Sequence, residues 1–410
     1  MAGYVRRQSK DSWEVTVDLG RDPTTDRRRR RYFTVRGGKQ DAERALTAAL
    51  RERDMGSDLD PGKVTLAEYL RRWLRHYAAP KVAPSTLQRY MGIVEQHLIP
   101  ALGRLRLRDL RPAHIQAAYA AFGRRDGRGA ALSAKTIREH HAVLREALNQ
   151  AIRWQLMGRN PALAVSPPRP ERRDMRVLSP EDAQRLLEAA AQTRYYPIFY
   201  LALATGARLG ELLALRWPDV DVDRGTMQIT RTARFFSQRA ARDLQAMRPD
   251  RPGEGGEPAS GVLFGQPKTS YSRRPVALST ETVRVLREHR RGQLSERMHA
   301  GPTYRDQDLV FADALGRPVY GSTVRRTFYS AVRGAGLEHL RIHDLRHTAA
   351  TLMLRAGINP KVVSERLGHA KVSITLDLYS HVLPDMQREA AATMDAILAG
   401  RRISHGGRLE

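Results

Sequence analysis

Four short segments in the second half of the chain place basic, imidazole and phenol side chains at spacings that suit chemistry on a phosphate. The first is Thr205-Gly206-Ala207-Arg208-Leu209-Gly210-Glu211-Leu212-Leu213-Ala214-Leu215. Arg208 stands in otherwise apolar sequence. Glu211, three residues on, shares its helical face and can orient the guanidinium. A fixed guanidinium fork is what bidentate recognition of a phosphate needs, although the same pair read alone is an ordinary structural ion pair. In the second segment, Gln266-Pro267-Lys268-Thr269, a lysine at a predicted hairpin tip can swing toward a ligand or stay solvated. The third, His343-Asp344-Leu345-Arg346-His347-Thr348, opens a predicted helix from His343 to Ala356. His343 and Arg346 share a face there. The imidazole can hold or move a proton near neutral pH, and the arginine can clamp the same phosphate. The fourth is Leu367-Gly368-His369, with Tyr379 ten residues beyond the histidine. Gly368 reads as a helix terminator; Tyr379 alone is either a nucleophile or a packed aromatic.

The elements that must position these groups follow from periodicity. Trp13, Val15, Val17 and Leu19 alternate with polar residues, and Tyr32, Phe33 and Val35 make a further strand. Ala42, Ala45, Leu46, Ala49 and Leu50 mark a helix over Asp41 to Arg53. The run Arg27, Arg28, Arg29, Arg30 and Arg31 beside these strands suits a phosphate backbone or a solvated turn. Met55 to Lys63 reads as a linker. Four helices then follow. One is capped by Thr65 and Glu68, one begins at Pro84 and ends near Pro100, one covers Ala113 to Phe122 and one Ser133 to Trp154. Lys81, Lys135 and Arg138 are exposed-type basic residues on this bundle, suited to DNA contact. Asn160-Pro161 closes it, and the prolines of Ser166 to Arg173 read as an extended basic linker. Beyond it, helices are interrupted by strands at Thr226–Thr230, Val262–Phe264 and Arg274–Leu278, with a flexible polar loop expected over Arg239 to Ser260.

Composition sets the outer bounds. A chain of 410 residues exceeds what one hydrophobic core normally organises. A formal net charge of +26 favours a polyanionic partner. The chain has no cysteine, which excludes disulfides, thiolate metal sites and cysteine nucleophiles. No apolar run is long enough for a membrane span. The N-terminal residues carry no apolar core of a secretory signal, so a cytoplasmic location is expected.

Taken in order, Arg…Lys…His-x-x-Arg…Gly-His…Tyr resembles the tyrosine recombinase, or phage integrase, family. TGARLGELLAL resembles its first arginine motif, Pro267-Lys268-Thr269 with Ser272 to Leu278 its lysine hairpin, and HDLRHTAAT and ERLGHAKVSITLDLYSHV its remaining boxes. The resemblance implies a mainly α multidomain fold with small β elements. It would hold an arm-site-binding β/α domain at 1–56, a helical core-binding domain at 64–160 and a mixed α/β catalytic domain at 175–400. It implies that Tyr379 attacks the scissile phosphate and that Arg208 and Arg346 hold the non-bridging oxygens. Lys268 would be the general acid, His343 the base, His369 a phosphate hydrogen-bonding group and Glu211 the orienter of Arg208. No metal or other cofactor is implied. The implied partners are double-stranded DNA attachment sites, three further subunits in a tetramer on synapsed DNA, and DNA-bending accessory proteins at the bacterial nucleoid. An amphipathic segment from Asp385 to Leu398 would dock on a neighbouring subunit. Other readings are a non-catalytic DNA-binding protein on the same fold, a type IB topoisomerase-like enzyme, and a metallohydrolase using His343, His347 and His369. The last lacks the glutamate that a zinc helix needs beside its first histidine, where this chain has Asp344.

Overall fold

The computed structural model describes residues 3–9, 11–21, 28–54, 63–124, 131–171, 176–248, 261–265, 272–378 and five positions between 391 and 399. They divide into two units, Met1–Glu171 and Arg172–Glu410.

In the first unit, β1 (Gly3–Ser9), β2 (Ser12–Arg21) and β3 (Arg28–Arg36) form an antiparallel sheet in that order. The helix α1 (Lys39–Asp54) packs on it. Val15 and Val17 of β2 meet Ala42 and Ala49 of α1 in a small core. The strand β1 escapes the sequence pattern because its two adjacent apolar residues, Tyr4 and Val5, give no alternation; its register with β2, Tyr4 opposite Thr16 and Val5 opposite Val15, is what makes it a strand.

The helical part begins at α2 (Leu66–Trp73). The Thr65 hydroxyl accepts from the Glu68 backbone N–H at 3.3 Å, while Glu68 accepts from the Thr65 N–H at 2.8 Å, a reciprocal cap. This helix runs through a π turn, Leu74–Ala78, into α3 (Ala79–Lys81). The next, α4 (Pro84–Ile93), runs through a second π turn, Val94–Leu98, into α5 (Ile99–Leu102). Each wide turn precedes a proline, Pro80 or Pro100. A proline ring cannot donate and crowds the preceding turn; bonds five residues apart, Ala79 to Leu74 and Ile99 to Val94, absorb it without breaking the helix. The second rod therefore runs through Pro100 and ends at Leu102, close to the end expected from the sequence. With α6 (Pro112–Phe122) and α7 (Ala134–Arg153), four helical rods enclose Leu66, Leu70, Trp73, Leu98, Ile115, Leu144 and Leu148.

The second unit is built on α8 (Pro180–Ala190), α9 (Tyr196–Thr205) and the single turn α10 (Leu209–Leu212). Strands β4 (Val220–Asp221), β5 (Thr226–Ile229) and β6 (Thr232–Phe235) follow. The polar stretch expected as a loop from Arg239 contains a helix, α11 (Gln238–Met247), capped by Ser237 and seated by buried Ala241 and Leu244. After it come β7 (Val262–Gly265), β8 (Arg274–Ala277) and the long α12 (Thr280–Ala300). The strands flanking Lys268 are not one hairpin: β7 pairs with β6, whereas β8 pairs with β5 in the sheet β4-β5-β8. Last come α13 (Gly321–Gly334), α14 (Asp344–Arg355), α15 (Pro360–Leu367) and α16 (Val372–Leu378). Phe199 of α9 meets Phe328 of α13 edge-on at 5.4 Å in the centre of the core, with Leu345 of α14 beside them in the same cluster. Residues 249–260 and most of Asp385–Leu398 lie outside the described residues.

Candidate active site

A glycine ends α9 and releases the first candidate arginine. Gly206 takes φ +66°, a left-handed conformation that costs an ordinary side chain, so the helix stops and the chain turns. Arg208 then sits at the N-cap of α10 rather than on a helix face. Its backbone N–H donates to Glu211 Oε2 at 3.0 Å and its Nη1 to Glu211 Oε1 at 2.7 Å. The three-residue spacing thus serves a cap. Glu211 is 3% exposed and Arg208 38% exposed, so the carboxylate is enclosed while the guanidinium still faces outward. Burial raises the Glu211 pKa, but Arg274 and Arg208 together pull it below the usual carboxylate value and keep it ionised.

The second group opens α14. His343 takes the N-cap position and Asp344 is buried. Asp344 accepts from Arg341 Nη2 at 2.8 Å, from its Nε at 3.1 Å and from its backbone N–H at 2.8 Å, which fixes the start of the helix. Arg346, one turn in, is 3% exposed. Its Nη1 donates to the Gly206 carbonyl and its Nη2 to the Leu367 carbonyl, both at 2.7 Å. Those carbonyls belong to the turn that carries Arg208 and to the end of the helix that precedes His369. One buried side chain thus ties three segments distant in sequence.

The third group follows α15, which is capped by Asn359 and ends at Gly368 with φ +70°. His369 comes next, its Nδ1 2.8 Å from the Thr375 hydroxyl of α16. Burial first, and then the charges of Arg346 and Arg208, push the His369 pKa down to about 4. His343 is exposed to solvent, but groups packed against its ring desolvate it, and with His347 at a ring distance of 5.0 Å and the charges of Arg346 and Arg208 they push its pKa down to about 4. Both imidazoles are neutral at pH 7 and able to accept a proton or a hydrogen bond. A cavity of about 390 Å³ is lined by Arg208, Arg346 and His343 together with Arg325, Tyr329 and Arg341. Concentrated positive charge around an open cavity makes a site for an anion.

Arg208, Glu211, His343, Arg346 and His369 are therefore brought together. Lys268 and Tyr379 lie outside the described residues, as does Arg27; α16 ends one residue before Tyr379. Arg28 to Arg31 fall in β3, where only the side chain of Arg30 is described, and it is exposed. Lys81, Lys135 and Arg138 are exposed on the helical rods, Lys81 resting over the Tyr77 ring at 3.8 Å. Among the described residues no group of three or more histidines and carboxylates is placed to hold a metal ion. Two residues were not singled out from sequence. Thr375 left no signal beyond its distance from His369. Arg274 did leave one: it occupies an inward position of β8, where Arg274 and Val276 are buried and Pro275 and Ala277 exposed.

The family model described as the phage integrase family matches residues 176–386, the span holding every group of this cluster. The chain belongs to the phage integrase family. A second model, the N-terminal SAM-like domain of phage integrases, matches residues 65–122, within the helical rods. A tyrosine recombinase XerC-like protein of Caldanaerobacter subterraneus subsp. tengcongensis is 28% identical over 402 residues, covering 96% of this chain and 97% of the relative. Among solved structures, the Tn1549 transposon integrase in complex with a circular intermediate DNA aligns with a TM-score of 0.61 at 17% identity, over 80% of this chain and 99% of that one. A lambda integrase in a tetramer bound to a Holliday junction aligns with a TM-score of 0.55 at 20% identity, over 90% and 96%. This phage integrase family member is an enzyme, a site-specific DNA recombinase that cleaves and rejoins DNA strands. Among the described residues no helix is long and apolar enough to cross a membrane.

Proposed function

We propose that this recombinase works by transesterification through Tyr379. The phenol oxygen attacks the scissile phosphorus, a P–O bond to tyrosine forms, the bond to the 5′-oxygen breaks, and a 3′-phosphotyrosine and a free 5′-hydroxyl result. Arg208 and Arg346 hold the non-bridging oxygens and offset the charge that grows on them, the main electrostatic task of phosphoryl transfer. His343 takes the proton of the phenol, whose ordinary pKa near 10 makes unaided attack slow. His369 hydrogen-bonds the phosphate, and Lys268 delivers a proton to the leaving 5′-oxygen. Glu211 orients Arg208. One phosphate ester is exchanged for another, so rejoining needs no nucleotide cofactor.

The observation that supports this most is the convergence of Arg208, His343 and Arg346 on one cavity, with His369 following the carbonyl that anchors Arg346. The reading extends to a division of the chain into an arm-binding part at 1–56, a core-binding part at 64–160 and a catalytic part at 175–400. The substrate is a pair of double-stranded attachment sites at the bacterial nucleoid, synapsed by four copies of the chain with the help of DNA-bending proteins. Arg27 to Arg31, Lys81, Lys135 and Arg138 contribute backbone contacts.

The test is covalent trapping. A nicked duplex from the DNA flanking the encoding gene is incubated with the full chain in chelator, wild type beside Tyr379→Phe. A denaturation-resistant protein–DNA adduct with wild type alone is expected. Salt-sensitive binding by both proteins with no adduct from either would overturn the reading in favour of a non-catalytic DNA-binding protein.

A further inference from the structure

The structure points to a role for a residue outside the phosphate clamp, and the inference rests on the clamp role given above to Arg208. Glu211 lies between two guanidiniums. Its Oε1 takes Arg208 Nη1 at 2.7 Å, and its Oε2 takes Arg274 Nη2 at 3.1 Å. Arg274 is itself fixed from two other sides. Its Nε donates to the carbonyl of Arg366 at 2.6 Å and its Nη1 to the carbonyl of Ser272 at 3.1 Å. With only 5% of its side chain exposed, Arg274 is too enclosed to reach a DNA phosphate, whereas Arg208 is 38% exposed.

The charges explain why a second arginine is needed. A carboxylate that orients a guanidinium also cancels its field. Arg208 and Glu211 alone would present an incoming phosphate with a neutral pair. Two cations around one anion leave one net positive charge, and the exposed member of the trio is Arg208. A buried arginine with its other N–H groups committed to carbonyls can supply that charge in a fixed direction; a lysine, with a point charge and no fork, cannot make the three contacts at once. We infer that Arg274 is a positioning residue for strand cleavage, holding Glu211 so that Arg208 is oriented toward the phosphate without being neutralised. Its anchors add a link to the rest of the site. Arg366 and Leu367 are the last two residues of α15, and their carbonyls are taken by Arg274 and Arg346, so the orphan acceptors at that helix end face the site's two buried arginines.

The experiment measures single-turnover adduct formation by the full chain on the nicked duplex that the wild type cleaves, with gel-shift binding and thermal melting of each variant alongside. Arg274→Met is expected to slow adduct formation on the order of a hundredfold with binding retained, and Arg274→Lys to fall between it and wild type. Glu211→Gln removes the carboxylate through which Arg274 acts, so adding Arg274→Met to Glu211→Gln is expected to cost no more than about threefold beyond Glu211→Gln alone. Losses that multiply instead would mean that Arg274 acts independently of Glu211 and would overturn the inference. So would a wild-type rate for Arg274→Met. If Arg274→Met does not fold, the same cycle is run with Arg274→Lys. Arg208→Ala separates the two levels: a variant that still cleaves at the wild-type rate sinks the clamp itself, whereas an inactive Arg208→Ala beside a fully active Arg274→Met sinks only this inference.

Discussion

Histidines with lowered pKa values occur in both units, and the causes differ. In the helical rods, His97, His140 and His141 lie among Phe122 and Tyr119, with His97 and His140 rings 4.6 Å apart. Their pKa values are lowered chiefly by burial. His140 is tied to the Thr136 carbonyl and His141 to the Tyr119 hydroxyl, so these rings act as packing groups with one polar attachment each. In the second unit His343 and His369 are also lowered by desolvation, but Arg346 and Arg208 press on both. A packing histidine is depressed by the absence of water. At His343 and His369 desolvation is joined by the charges of two arginines, which a bound phosphate would offset. The two cases diverge when the ligand binds.

The largest effect expected from that contrast is on chemistry. Arg346→Ala should lower the rate of adduct formation on the order of a thousandfold or more while leaving duplex binding measurable, because it removes a charged donor and unties three segments at once. His140→Leu should leave the rate within about twofold of wild type; a large loss there would erase the distinction between the two groups of histidines. Next in size is the response to the substrate. Bound duplex should raise the pKa of His343 and His369 by about one unit or more from the value near 4, as phosphate charge offsets the arginines. Those of His97, His140 and His141 should stay where they are. Imidazole resonances followed against pH, with and without the duplex, decide this.

Acid stability is a smaller and shared effect. All these imidazoles have folded pKa values below their ordinary value; for His343 and His369 the unfolded chain binds more protons between about pH 6.5 and about pH 4. The stability they contribute is present above the upper limit and is lost as the pH falls through the lower. Melting temperature should drop across that window, and duplex should restore it for the second unit only. The smallest effect concerns His140 alone. Its Nε2 is buried without a hydrogen-bond partner, so His140→Leu should change unfolding free energy by no more than about 1 kcal/mol in either direction and flatten the acid loss. A loss of several kcal/mol in denaturant melts would show that the ring holds the bundle together.

Punctuation was the most legible feature of the sequence. Thr65 with Glu68 three residues on, and Gly368 after an apolar helix, could be read directly because caps and left-handed stops depend on one or two residue types. Pairing was harder. Nothing local distinguishes β6 from β8 as the partner of β7, and the expected lysine hairpin dissolved into two sheets. The helix α11 was hidden by the polar, glycine- and proline-rich residues that follow it, although Ser237 as a cap and Ala241 and Leu244 three apart were available signals. In the site, the separation of Arg208 and Glu211 was read correctly and its geometry wrongly, since the same three-residue spacing serves a helix face and a cap. One arginine in a basic chain carries no distinguishing sequence signal of its own, and only the inward strand position sets Arg274 apart.

Gly206 carries a consequence for how this site can vary. A β-carbon there would lie 2.3 Å from Leu367 Cδ2, inside a wholly buried leucine, and φ +66° already penalises any side chain. Leu367 in turn offers the carbonyl that Arg346 holds. The turn bearing Arg208 is thus packed directly against the Leu367 side chain at the helix end leading to His369. A single methyl group at position 206 would act as a wedge between two halves of the chemistry. A smaller residue at 367 would relieve the contact but not the φ penalty, so position 206 is held to glycine by two independent constraints.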